Sequence, residues 1–136
     1  MMLRILLILP ALLWGGEWKP VDVVATAYCP CTVCCGVRAV GLTADGTDVR
    51  STPYGIAADP KVLPYGTLVW IPKGNGYLDR QTPADDDRQW WVDDTGGIIR
   101  RRTRSTGITH IDLRFIRHKS AQEFGIRHIT IYIWAE

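Results

Sequence analysis

Residues Ile126–Trp134 read I-R-H-I-T-I-Y-I-W, and this stretch decides the fold class. Ile129, Ile131 and Ile133 fall on one face of an extended chain, and His128, Thr130, Tyr132 and Trp134 on the other. That two-residue period is the mark of a half-buried β-strand. Working back from it, His118–Phe124 contains no helix breaker and is followed by Gly125, so one short helix is expected there. Ile111–Phe115, Gln89–Asp93, Thr67–Pro72, Tyr54–Ala58 and Val21–Tyr28 are short apolar or β-branched runs set between turn residues, and each reads as a strand. The Thr67–Pro72 run is framed by the turns L-P-Y-G and K-G-N-G. With 13 Gly and 8 Pro in the chain, the pattern is that of a small all-β domain rich in turns.

A chain of 136 residues makes one domain with a modest core. Its 16 basic and 14 acidic residues leave a net charge of +2, too even a balance to argue for nucleic acid. The N-terminus, M-M-L-R-I-L-L-I-L-P-A-L-L-W-G-G, sets one Arg ahead of an apolar run shorter than the roughly 20 residues a bilayer span needs. A signal peptide is therefore expected over residues 1–16, with the mature domain at 17–136 and no stable membrane span. Only Gly15 and Gly16 offer small residues for cleavage, so an uncleaved anchor is the alternative. The expected location is outside the cytoplasm: the cell envelope, periplasm or medium.

Three aspartates sit in short turn-rich frames: Asp59 in Y-G-I-A-A-D-P, Asp94 in V-D-D-T-G-G and Asp112 in H-I-D-L-R-F. Each follows or interrupts a strand-like run, so folding can gather carboxylates at the rim of one domain and support acid chemistry there. Between the first two strands, Cys29–Ser51 reads as a long loop with a turn T-A-D-G at Thr43–Gly46.

These three frames occur in order between A-T-A-Y-C-P-C-T-V-C-C-G at the front and F-G-I-R-H-I-T-I-Y-I-W at the end. The whole, from about Val23 to Trp134, resembles the 3D domain family, named for three aspartates and related to the catalytic domain of membrane-bound lytic transglycosylase A. The resemblance implies a six-stranded double-psi β-barrel that cleaves the glycan strands of peptidoglycan as a lytic transglycosylase. In that family the aspartate of the I-D strand is the general acid and base, which maps to Asp112. The D-T-G-G aspartate, Asp94, positions it or shapes its electrostatics, and Asp59 matches the third. Thr43 matches a family segment near the cleft, and Gly96 and Gly97 lie in the turn after Asp94, where glycines let the backbone approach a ligand closely; these three are the substrate-binding candidates. This chain departs from the family in the link Arg100–His110 (R-R-R-T-R-S-T-G-I-T-H), which is longer and is expected as a loop at the cleft rim. The alternative function is a non-catalytic glycan-binding barrel. An aspartic protease reading of D-T-G-G fails, because Gly97 follows and no I-I-G or I-L-G occurs downstream.

Several of these residues also have plainer roles. Asp59 precedes Pro60 and is expected to cap turn amides even in an active enzyme. Asp93 and Asp94 are adjacent, so only one of them can face the cleft. Cys29, Cys31, Cys34 and Cys35 lie in one segment; in an exported protein the default is two disulfides, with a structural zinc site as the rival and free thiols as the remainder. No other cofactor is expected. His110, His118 and His128 show no metal-ligand spacing and read as ordinary surface or strand residues. Trp70, Trp90 and Trp91 read as core, with one exposed indole available to stack on a sugar. The runs Asp85–Asp87 and Arg100–Arg102 with Arg104 read as solvated; the alternative is that the arginines attract an anionic wall polymer.

Overall fold

Six strands close into one ring of sheet in the order β1-β5-β2-β4-β3-β6. They are β1 (Glu17–Tyr28), β2 (Ile56–Ala57), β3 (Leu68–Trp70), β4 (Gln89–Asp94), β5 (Thr109–Arg114) and β6 (Arg127–Ala135). Among the described residues three helices accompany them: α1 (Thr32–Cys35), α2 (Gly97–Thr106) and α3 (His118–Phe124). The structure is a computed structural model and describes residues 15–36, 39–72 and 89–136. Most of the expected signal segment, the K-G-N-G turn and the Asp85–Asp87 run lie outside the described residues.

The alternation that identified β6 does its expected work. Ile131 is fully buried, and Ile129 and Ile133 pack against the core from the same face. β6 runs antiparallel along β1 from Glu17↔Ala135 to Ala25↔Arg127, so the first strand begins earlier than the Val21 that its β-branched run suggested. On its other edge β1 is parallel to β5, from Val23↔Thr109 to Tyr28↔Arg114. β2 is shorter than expected because Asp59-Pro60 turns the chain just beyond Ala57, and Pro has no N–H to give a ladder. Trp90 and Phe115 meet edge-on in the core, with Tyr54 against Trp90 and Phe124 against Phe115. Trp91, expected in the core, is exposed, since it faces away from its buried neighbours Trp90 and Val92.

The Arg100–His110 segment is not a loop. Residues Gly97–Thr106 form α2, with Ile99 and Thr103 buried one turn apart on a single face. Arg is a good helix former, and nothing in I-I-R-R-R-T-R-S-T breaks a helix. Gly107 ends it in a left-handed conformation (φ 70°), its N–H bonding to the Thr103 carbonyl at 3.0 Å. The extra length of this link thus folds onto the start of β5 instead of hanging free.

Candidate active site

Residues from four adjacent strands lie in one row across the ring. Thr26 of β1 pairs with Asp112 of β5, Asp112 pairs with Ala57 of β2, and Ala57 pairs with Asp94 of β4. Ala57 is small and buried, which leaves the two aspartates on strands flanking it. Their Cα atoms are two strand spacings apart, about 10 Å. The strand order of the ring, rather than any nearness in sequence, brings Asp94 and Asp112 together.

Asp94 is held from three sides. The Tyr28 hydroxyl donates to Oδ2 at 2.7 Å, and the Ala44 and Thr95 amides both donate to Oδ1 at 2.9 Å. The loop after β1 is thereby laid across the end of β4, and the Asp45 amide bonding to the Asp93 carbonyl at 3.2 Å reinforces it. Asp93 turns inward, as adjacency to Asp94 required, and meets Arg114 in a two-pronged ion pair at 2.7 and 2.8 Å. Arg114 is fully buried. It also donates to the Tyr28 hydroxyl at 3.2 Å and to the Thr52 and Pro53 carbonyls. Burial works against its charge, but Asp93 and Tyr28 more than offset this and hold the guanidinium protonated. Tyr28, itself pushed above its ordinary range by burial, links this buried pair to Asp94.

Asp112 lies half-buried, with Oδ1 accepting from the Thr26 hydroxyl at 3.0 Å. Burial pushes its carboxyl up to about 6; the Thr26 hydrogen bond opposes that shift and the nearby Asp94 charge adds to it. It is therefore a carboxyl able to carry a proton near neutral pH beside a second carboxylate.

Asp59 has a different setting. It is buried at the turn after β2, its Oδ1 accepts from the Lys61 amide, and Arg104 of α2 grips both oxygens at 2.8 and 3.1 Å. The Arg104 pairing holds its carboxyl below the usual carboxylate range. Thr43 is buried, and its hydroxyl serves the T-A-D-G turn, donating to Asp45 at 2.7 Å and accepting from the Thr47 amide at 3.0 Å. Gly96 and Gly97 open α2 with no positive φ, and a Cβ at either would meet only ordinary contacts at 3.9 Å. Neither glycine is demanded by a protein neighbour.

A narrow pocket of about 30 Å³ touches the row at Asp94 and is also lined by Tyr28, Arg114, Cys35, Val40 and Thr43. A wider cleft of about 530 Å³ lies toward the start of β5, among Asp22, Thr109, His128 and Thr130. Its carboxylate, Asp22, is exposed and accepts from Thr130, so no proton donor is held out of water there. The carboxyl that burial does raise is Asp112, at the other end of β5's pairing with β1.

Sequence reasoning found the aspartates but not their partners. Thr26 and Tyr28 precede the cysteines at i and i+2 in A-T-A-Y, and Asp112 and Arg114 repeat that spacing in I-D-L-R, so strand alternation was the available signal. His118 gave none. Its Nδ1 lies 3.4–3.5 Å from the sulfurs of Cys29, Cys31 and Cys34, which are 84 to 89 residues away along the chain and are brought to it by the β1–β5 pairing.

Residues 54–135 match the family pattern described as "3D domain". That stretch is more than half of the chain, takes in all three aspartates and begins after the cysteine segment. The SPbeta prophage-derived uncharacterized protein YorM of Bacillus subtilis (strain 168) is 31% identical over 119 residues, covering 83% of this chain and 41% of that protein. The chain thus spans about two-fifths of the length of that curated relative.

Proposed function

The chain belongs to the 3D domain family, and from that premise we propose that it cleaves peptidoglycan glycan strands as a lytic transglycosylase, in the cell envelope. The observation that carries this reading is the Asp112 carboxyl, half-buried beside Asp94 and pushed up to about 6. The closed ring, with its parallel β1–β5 and β2–β4 pairs, supports taking it as the double-psi β-barrel that the family implies.

In the proposed reaction protonated Asp112 gives its proton to the bridging oxygen as the bond to the sugar C1 breaks. Positive charge then develops on the sugar ring. The sugar's own 6-hydroxyl closes onto C1, and the Asp112 carboxylate takes that hydroxyl's proton, which regenerates the acid and leaves a 1,6-anhydro end. No water is activated, so a second catalytic base is not needed. Asp94, fixed by Tyr28 and two amides, supplies negative charge near the developing cation and keeps the Asp112 proton affinity high. Thr26 orients the Asp112 carboxyl. Asp59 serves by fastening α2 to the turn after β2, and Gly96 and Gly97, which carry no side chain, let a sugar approach the backbone closely.

The test is digestion of purified sacculi with mass spectrometry of the soluble products. Fragments with 1,6-anhydro ends are expected. Reducing ends would instead report hydrolysis, and a chain that pellets with sacculi and releases nothing would be a glycan-binding barrel.

A further inference from the structure

We propose that Cys29, Cys31, Cys34 and His118 form a four-coordinate zinc site, and that Cys35 is not part of it. Their ligand atoms all lie within 4.8 Å of one another. A tetrahedral zinc with sulfur at about 2.3 Å and nitrogen at about 2.0 Å has edges of about 3.8 Å between sulfurs and about 3.5 Å between sulfur and nitrogen. The three sulfur distances to His118 Nδ1 are 3.5, 3.4 and 3.4 Å, and Cys29 to Cys34 is 3.6 Å. Cys29 and Cys31 approach to 2.6 Å, tighter than such an edge and longer than the roughly 2.04 Å of a covalent S–S bond. Cys35 turns away and points its sulfur at the Cys29 carbonyl, 3.3 Å distant.

Local packing gives a second argument. α1 is a single turn with no buried side chain and no side-chain cap, and a helix of that length does not hold itself. Its order depends on the sulfurs of Cys31 and Cys34 being held against Cys29 and His118. Cys29 is the residue after β1, and His118 opens α3 just beyond β5, where the Phe115 amide bonds to the Tyr28 carbonyl at 2.7 Å. One ion would therefore tie together the ends of the two strands that carry Thr26, Tyr28 and Asp112. On binding, three thiols give up their protons to solvent while neutral His118 offers Nδ1 and keeps its proton on Nε2, so no oxidant or reductant is involved. The site stands apart from the stretch that matches the family pattern at its cysteine side, and it does not rest on glycan cleavage.

The test uses the reduced full-length chain and Zn²⁺ alone, read by metal analysis, native mass spectrometry and competition with a chromophoric chelator. One zinc per chain is expected, and Co²⁺ in its place should show thiolate charge-transfer and intense tetrahedral absorption. Cys35→Ser should keep stoichiometry and affinity. Cys34→Ser and His118→Ala should weaken binding by more than the roughly 10–100-fold that losing a supporting partner costs. His118→Cys should restore it with a cobalt spectrum shifted toward four thiolates. The proposal is overturned if the reduced chain takes up no stoichiometric metal, if His118→Ala binds as wild type does, or if the chain as purified carries two disulfides and no metal. Wild-type content and Cys35→Ser decide the matter even where a ligand variant fails to fold.

Discussion

Three residues with the same carboxyl chemistry are put to different uses by their neighbours. Asp93 is spent on a buried arginine, Asp59 on a helix, and Asp112 is left with one hydroxyl and a nearby negative charge. Asp112→Asn keeps the shape and can still accept from Thr26, but it cannot give and then retrieve a proton. Release of 1,6-anhydro fragments should fall by roughly 100-fold or more, the scale of lost acid–base catalysis, in a folded protein. Wild-type rates in that variant would remove Asp112 from the role. Asp59→Asn and Arg104→Gln should each lower the melting temperature, with the double variant no worse than either single one, since both break the same contact. Additive losses would show that the two side chains act separately. Gly55 is a residue whose importance the sequence conceals. A Cβ there would come within 2.4–2.6 Å of the Arg114 and Asp93 side-chain atoms. Gly55→Ala should therefore cost about 1–3 kcal/mol by denaturant unfolding, as overpacking does.

At the scale of elements, periodicity was readable wherever one face is buried. The alternation of β6 and the breaker-free run of α3 appear within a residue or so of where the sequence put them. α2 was misread because four arginines made its segment look like a solvated loop, while the helical clue, Ile99 and Thr103 four apart with Gly107 beyond, was only two residues deep. The helix also divides the charge run by function. Arg104 grips Asp59 and Arg100 donates to the Thr95 hydroxyl at 3.0 Å, whereas Arg101 and Arg102 are exposed. Only the latter two are suited to attract wall carboxylates without disturbing the fold. Replacing both with Gln, itself a good helix former, should leave the melting temperature unchanged and weaken sacculus binding at low salt. The effect should fade as salt shortens the screening length from about 10 Å at 0.1 M toward 3 Å at 1 M. Equal binding at low salt would make the exposed arginines merely a solvated face.

For the molecule as a whole, the sequence announced a small β-domain and three marked aspartates, but not which strands would be neighbours. The row Thr26–Asp112–Ala57–Asp94, the Asp93–Arg114 pair and the approach of His118 to the cysteines all depend on β5 lying between β1 and β2, a long-range fact with no local signature. The same arrangement sets opposing pH responses. Asp59 has a depressed carboxyl, so its contribution to stability is present above the ordinary carboxylate range and is lost as pH falls through its folded value. Asp112 is raised to about 6 from an unfolded value of about 3.9, so its contribution is fully present below about pH 4 and is lost as pH rises through about 6. Comparing wild type with Asp112→Asn isolates the second term, because every other titrating group is common to both. The two unfolding curves should differ least in their pH dependence below about pH 4. Between about pH 4 and 6 the variant should gain on the wild type, and above that the gain should level off at up to about 3 kcal/mol. A difference that stays constant across this range would mean that folding leaves the Asp112 proton affinity unchanged, and the proposed acid would lose its physical basis.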